Sequence, residues 1–577
     1  MRSFFKTMLA VMAAITLMVI IPFAVISIFG GIASLFESNS VDENSVLEIN
    51  LNEPLIESSN EVEFDLMSFK PQKNTKFLDI LTAIQTAKTD ENIKGISLNV
   101  GITNADYAQL KEIRDQLKDF KTSKKFIYAY GEDISQKDYY LASVADSVFI
   151  APLGHIELKG LGAEVTFYKK LLDNIGVKFD IIKHGKYKSA VEPLFKEEMS
   201  PESKEQTQVL LDDIWGVVSK EIQESRKIAP EQFKTTVDSL NSYVTGNLKK
   251  EKLVDGVIYK DEYISKLKLD EEKKNLVSIG DYCAKNQPDF ESDQVAIIYA
   301  SGEIMSGKDS EGIKDEYIIK RIREVAKDKS IKAAVLRVNS PGGSATASER
   351  ILRELRLLQK EKPLVVSFSG VAASGGYYIA GAGDAIVASP LTITGSIGVF
   401  GAIPNVSGVA NKIGITSNTV QTNASSNEVT LGNGSNPQFL TRMTQSVEET
   451  YALFLKNVAQ NRKKTTQQID AIAQGRVWSG VKAKEVGLID QWGGLNDAIK
   501  LAASKAKITK YSVTEFPRQK EDIEAFMEKF GGTEEARIEN LIQQKLGTNV
   551  YKSYKELDYW NSNERIHTRM PYILEVK

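Results

Sequence analysis

With one cysteine, Cys283, among 577 residues, the chain has no intrachain disulfide, no cysteine-based zinc site and no CxxC redox pair. A lone cysteine behaves as a small buried hydrophobe, and no role is assigned to it. Histidine is nearly as scarce: His155, His184 and His567 are all there are. There is no GxxxxGK[ST] phosphate loop, no HExxH motif and no dinucleotide fingerprint, so neither cofactor nor metal is expected. Charge of one sign is lacking too. Lys and Arg number 73 against 76 Asp and Glu, a net charge of -3, which argues against a general nucleic-acid binder. The remaining balance, 26% charged and 42% hydrophobic, is that of a globular protein, and the length calls for two large domains or more.

One long hydrophobic run is present. Arg2 and Lys6 precede an uncharged stretch from Met8 to Leu35, and Glu37, Asp42 and Glu43 follow. That run exceeds the roughly 20 residues that cross a bilayer. It also exceeds a signal-peptide core and has no Ala-x-Ala exit. We read residues 1–40 as an uncleaved signal anchor and linker, with a cleaved signal peptide as the alternative. The positive flank places the N-terminus in the cytoplasm and the bulk of the chain outside.

Beyond the anchor, apolar periodicity predicts strands and helices in alternation. Ser45–Leu51, Ile93–Val100 and Lys125–Tyr130 read as strands, and Phe77–Ala87 and Leu110–Leu117 as helices. The same order returns later. Val295–Ala300, Ile331–Val338 and Leu364–Phe368 read as strands, and Ile318–Ala326 and Ala347–Leu358 as helices. Such alternation implies βα units around a mostly parallel sheet. The two halves align at an offset of 238: Ile84 with Ile322, Lys94 with Lys332, and Tyr139–Ala142 with Tyr377–Ala380. The chain is a tandem duplication.

The copies disagree at informative places. Ser374, at the turn Ala372-Ala373-Ser374-Gly375-Gly376 between a buried strand and a helix, corresponds to Gln136. The glycine-rich Ser340-Pro341-Gly342-Gly343-Ser344 corresponds to Ile102-Thr103-Asn104-Ala105-Asp106. In the other direction, Lys188 corresponds to Ser426. Reciprocal losses of this kind point to one composite site shared between the halves.

A serine hydroxyl needs a base to become a nucleophile. No histidine lies in the C-terminal repeat beside Ser374, so a Ser-His-Asp triad is not at hand. Elimination leaves lysine, a known variant of the same logic. Lys183, Lys186 and Lys188 all compete on sequence alone. The N–H groups of Gly342, Gly343 and Gly375, at turns on the same sheet edge, would form an oxyanion hole. The plainer reading of these residues is a serine helix cap beside structural turn glycines.

At these residues the sequence resembles the signal peptide peptidase A (protease IV) family in its long, duplicated form. The carrying strings are GKYKSAVEP (185–193), RVNSPGGS (337–344), VAASGGYYIA (371–380), SPLTITGSIGVFG (389–401) and AQGRVWSGVKAKEVGLID (473–490). The resemblance implies an α/β architecture of two tandem Clp-protease/crotonase-like domains. The lysine-bearing repeat would span 41–285, the serine-bearing repeat 286–510, and 511–577 reads as a helical C-terminal extension. It also implies a membrane-anchored serine endopeptidase with a Ser-Lys dyad. Ser374 would be the nucleophile, Lys188 the general base, and Ser396 the hydroxyl that orients the lysine amine. Further implications are a homo-oligomer, a tetramer in the long form, and hydrophobic peptide substrates such as cleaved signal peptides. The setting would be the outer, periplasmic face of the bacterial inner membrane. Substrate would bind extended, adding its backbone to a strand edge. The rival readings are a crotonase-like acyl-CoA enzyme, disfavoured by export, and a catalytically inactive membrane scaffold that binds peptides.

Overall fold

The computed structural model of the chain describes residues 41–58, 64–65, 70–71, 74–269, 275–286, 291–309, 312–518 and 567–570. The expected anchor lies outside the described residues, and among those described no helix is long and apolar enough to cross a membrane. In the N-terminal half, β1 (Ser45–Asn50), α1 (Phe77–Thr89), β2 (Ile93–Val100), α2 (Tyr107–Phe120), β3 (Phe126–Ile134), α3 (Gln136–Ala142) and β4 (Ser147–Ile156) follow in order. Strand β5 (Lys178–His184) and helix α4 (Pro201–Arg226) come next. The first four strands form a parallel sheet in the spatial order β4-β3-β2-β1, with Leu276–Ser278 beyond β1 and Gly256–Val257 beyond β4.

The C-terminal half repeats the plan. Strand β6 (Gln294–Ser301), α5 (Asp315–Lys327), β7 (Ile331–Ser340), β8 (Gly342–Ser344), α6 (Ala345–Glu361), β9 (Leu364–Ala373), α7 (Gly375–Ile379), β10 (Ile393–Gly395), β11 (Val399–Asn405), α8 (Pro437–Arg462) and β12 (Val477–Ser479) follow. Equivalent elements have equal lengths where packing demands it. Helices α1 and α5 both have 13 residues, and α4 and α8 both have 26. The order across the second sheet is β12-β10-β9-β7-β6, and β13 (Ser512–Phe516) closes its far edge beside β6.

Burial on both faces explains the continuous apolar runs of these strands. Along β7, Ala333 and Val335 face a core shared with the first half, while Ala334, Leu336 and Val338 face a core built from the second half with Ile182 of β5 added to it. One buried ion cluster ties the halves together. The Arg337 guanidinium donates to both carboxylate oxygens of Glu57 at 3.1 and 3.2 Å, to Glu112 at 2.9 Å and to Ser367 at 2.9 Å. Burial pushes the Glu112 carboxyl up to about 7 against the pull of Arg337.

The stretches that carry the helical reading of the C-terminal extension lie outside the described residues. Its described parts hold two strands: β13, and β14 (His567–Arg569), which pairs antiparallel with β8. Ser-Val-Thr-Glu-Phe in β13 is rich in β-branched and aromatic side chains, and an open sheet edge was there to receive it. His155 is the penultimate residue of β4 and bonds Asp133 at 2.7 Å. His184 ends strand β5.

Candidate active site

A third sheet joins the two halves beside Ser374 and Lys188. Its order is Ile313–Lys314, Ile304–Met305, β8, β14, β11 and β5. Strands β5 and β11 pair antiparallel over seven residues, from Val399 with His184 to Asn405 with Lys178. Each repeat therefore lends one strand to a joint ladder. Lys188 leaves the end of β5, and Ser396 precedes the start of β11.

Ser374 sits between β9 and α7. Its backbone has φ 54 and ψ -114, a conformation that non-glycine residues rarely hold. Ser374 N donates to Gly395 O at 2.8 Å, which pins the turn to β10. The hydroxyl makes no capping bond to α7, so the plain helix-cap reading does not apply. Instead, Lys188 Nζ donates to Ser374 Oγ at 2.8 Å. The same amine donates to Ser396 Oγ and to Ser396 O, both at 3.0 Å. Lys188, Ser374 and Ser396 are all completely buried.

Of the three competing lysines, only Lys188 is brought to the serine. Lys183 is half-buried, with Nζ over the Phe195 ring, and Lys186 is exposed beside Tyr187. Burial alone holds the Lys188 amine well below the usual lysine range, and the bonds it makes are to hydroxyl and carbonyl oxygens. In its neutral form the amine has two N–H groups for Ser396 O and Ser396 Oγ and turns its lone pair to Ser374 Oγ, whose proton it can accept; a solvated ammonium cannot. His184 is engaged with Glu448 at 2.7 Å and stacks on Tyr451.

Gly342 and Gly343 have φ 103 and 152, the left-handed region expected from the sequence. A Cβ on Gly342 would lie 2.7 Å from Gly375 N, so the two turns meet. Ser340 and Ala372 are partners in the parallel pairing of β7 and β9, which carries both turns to one edge. Three supports escaped the sequence reading. Gly475, at φ 78, packs its bare Cα against the lysine, since a Cβ there would sit 2.6 Å from Lys188 Cβ. Gly398 does the same for the lysine stem, at 3.2 Å from Cδ. Gln206 of α4 donates to Tyr187 O and Ser189 Oγ while accepting from Val477 N, clamping the lysine turn to β12. Glycine and glutamine at such positions carry no local signal; only the partner segment makes them special.

The model for Peptidase family S49 matches residues 119–274 and again 356–509, and that for Clp protease matches 287–421. The chain belongs to peptidase family S49. Two S49 matches in one chain agree with the duplication, and the Clp-protease match with the α/β layers described above. The chain is 36% identical to Protease 4 of Salmonella typhi, over 84% of this chain and 80% of that one. It is 35% identical to Protease 4 of Haemophilus influenzae over 75% of this chain and 73% of that one. Similarity extends to the chloroplastic serine protease SPPA of Arabidopsis thaliana, 34% identical over 73% and 64% respectively. As an S49 member of the long, duplicated form, the chain is a serine peptidase.

Proposed function

We propose that this S49 peptidase is a membrane-anchored endopeptidase working through a Ser374–Lys188 dyad. The observation that carries the reading is the 2.8 Å bond between a fully buried lysine amine and the hydroxyl of a serine at a strained turn. Neutral Lys188 takes the proton of Ser374 as Oγ attacks a peptide carbonyl. The N–H groups of Gly342, Gly343 and Gly375 hold the oxyanion, and Ser396 keeps the amine aimed at Oγ. Lys188 then protonates the departing amine and activates the water that hydrolyses the acyl-enzyme. The uncharged run Met8–Leu35 supports anchoring with the catalytic domains on the periplasmic side of the inner membrane. Hydrophobic peptides, including cleaved signal peptides, are the substrates in this reading, and a homo-oligomer is its assembled form. No nucleic acid takes part.

The test is hydrolysis of a hydrophobic peptide by the detergent-solubilised full chain across pH, together with labelling by a serine-directed phosphonate. Label at Ser374 and a rate that climbs with pH through an apparent pKa below that of free lysine are expected. A rate indifferent to pH between 6 and 10, or label on another serine, would sink the dyad.

A further inference from the structure

A short strap of chain, residues 474–477, leads into β12 and bonds both the lysine turn and the Ser396 turn. Its peptide groups serve the two in alternation. Gln474 O accepts from Tyr187 N at 3.0 Å, and Gly475 N donates to Ile397 O at 2.8 Å. Arg476 O accepts from Ser396 N at 2.6 Å, and Val477 N donates to Gln206 Oε1 at 3.1 Å. The approach to the lysine turn is close. A Cβ on Gly185 would lie 2.5 Å from Gln474 O, and one on Gly475 would lie 2.6 Å from Lys188 Cβ. Whatever fixes the strap therefore fixes Lys188 and Ser396 together.

The strap begins at an unusual residue. Gln474 has φ 53, a left-handed backbone that a residue with a Cβ seldom adopts, and Gly475 follows it at φ 78. Glycine would take this conformation freely, so what position 474 gains from glutamine is its side chain. That side chain is fully engaged. Gln474 Nε2 donates to Asp470 Oδ1 at 2.6 Å and to Tyr451 Oη at 3.4 Å. Tyr451 Oη also accepts from Gln474 N at 3.3 Å and itself donates to Asp470 Oδ1. Gln474, Tyr451 and Asp470 thus form a closed clasp. Burial first, and Asp470 next, hold the Tyr451 hydroxyl above the usual tyrosine range, so it keeps the proton it donates. The Tyr451 ring is buried in α8 and stacks on His184, the last residue of β5, with centroids 3.8 Å apart. One side chain bears on both the strand that leads to Lys188 and the strap that carries Gly475.

We propose that Gln474, clasped by Tyr451 and Asp470, is the positioning residue that keeps the Lys188 amine dry and aimed at Ser374. This rests on the dyad reading above. The amine faces Ser374 and Ser396, with the Phe400 ring 5.9 Å away. The neighbouring cation of the turn, Lys183, donates to Lys188 O, and no carboxylate pairs with the Lys188 amine among the described residues. The aim of the amine and its dryness therefore come from packing, and Gly475 is one of the surfaces that supply it. Opening the clasp lets residue 474 relax toward an ordinary backbone and draws Gly475 off the lysine stem. Water then reaches the amine, which binds its proton more tightly and points less well at the serine.

The experiment is the pH–rate profile of the detergent-solubilised full chain on a hydrophobic peptide, with thermal unfolding of each sample recorded alongside. Wild type is compared with Gln474→Ala, Gln474→Gly and Tyr451→Phe. Gln474→Ala is expected to lower kcat by about 10- to 10²-fold with KM unchanged, and to move the midpoint of the rising limb up toward that of free lysine. Tyr451→Phe keeps the ring on His184 and removes only the hydroxyl, so it should move both in the same direction by less. Gln474→Gly should keep more activity than Gln474→Ala, because glycine takes φ 53 without the clasp. A wild-type midpoint in Gln474→Ala, or in Tyr451→Phe should the former not fold, overturns the proposal and leaves the dyad standing. A merely destabilised protein loses rate without moving the midpoint of its folded molecules. A glycine variant no better than the alanine one also overturns it, since the backbone at 474 is then not what positions the lysine. Wild type with no rising limb removes the dyad reading and this role with it.

Discussion

The two repeats share a plan, yet they treat the turn before their third helix differently. In the C-terminal half the chain bends through φ 54 at Ser374 and leaves its hydroxyl to Lys188. In the N-terminal half helix α3 starts in the ordinary way, capped by Ser135, and Gln136 stands in the serine's place. The Gln136 amide is fully used: it donates to Tyr107 Oη and Gly160 O and accepts from Lys159 N and Gly160 N. Asn104, at the place of Gly342, likewise bonds both backbone groups of Leu55. One half stores strain and an unspent hydroxyl, while the other fills the same space with satisfied hydrogen bonds. In the proposed reading the first half, with no serine at this position, supplies what the second lacks, a strand and a buried amine. A duplicated fold can divide one active site in this way because the joint ladder of β5 and β11 holds the two parts in register.

The sharpest way to break that comparison is to remove the amine. Lys188→Ala should lower kcat by at least ~10²-fold, the usual worth of a general base. Its counterpart in the silent site, Gln136→Ala, should leave kcat near wild type while costing about 1–3 kcal/mol of stability, because buried N–H groups lose their acceptor. Parallel turnover and thermal unfolding measurements separate the two. A large kcat loss in Gln136→Ala would mean that the first half is not catalytically silent.

Arg337→Met attacks the joint between the halves. It leaves Glu57 and Glu112 buried side by side without their cation, and breaking such a cluster costs about 3–5 kcal/mol. A denaturant midpoint unchanged from wild type would show that the halves are held by apolar packing alone.

The smallest effect concerns the lysine itself. Its folded-state pKa is depressed, so between that value and the ordinary lysine pKa the unfolded chain carries a proton that the folded chain does not. Stability contributed at this site therefore rises with pH across that window and falls as pH drops through it. Lys188→Met removes the titration. The variant should gain on wild type as pH is lowered through that window, by about 1.4 kcal/mol for each unit of depression in total. A stability difference that stays constant with pH would mean the amine is charged in the fold.

Much was legible before any coordinates. Periodicity placed Ile93–Val100 as a strand to the residue and located the helices of both halves within a few positions, because burial on a sheet face or helix stripe is a local pattern. The duplication was visible as a constant offset, and it named Ser374, Gly342 and Gly343 by showing what the other copy lost. Other features depended on segments far apart in sequence. Lys188 and Ser374 are 186 residues apart, and nothing local separates Lys188 from Lys183 or Lys186. The packing of Gly475 against the lysine, the clamp by Gln206 and the pairing of Glu57 with Arg337 are invisible for the same reason. The pairing of His567–Arg569 with the strand at Gly342 is invisible too, since three residues of a distant tail carry no local sign of the edge they join. Local patterning determined the elements and their order. Only tertiary structure decided which lysine is stripped of water and which strand joins the edge at Gly342, because both follow from contacts between distant segments.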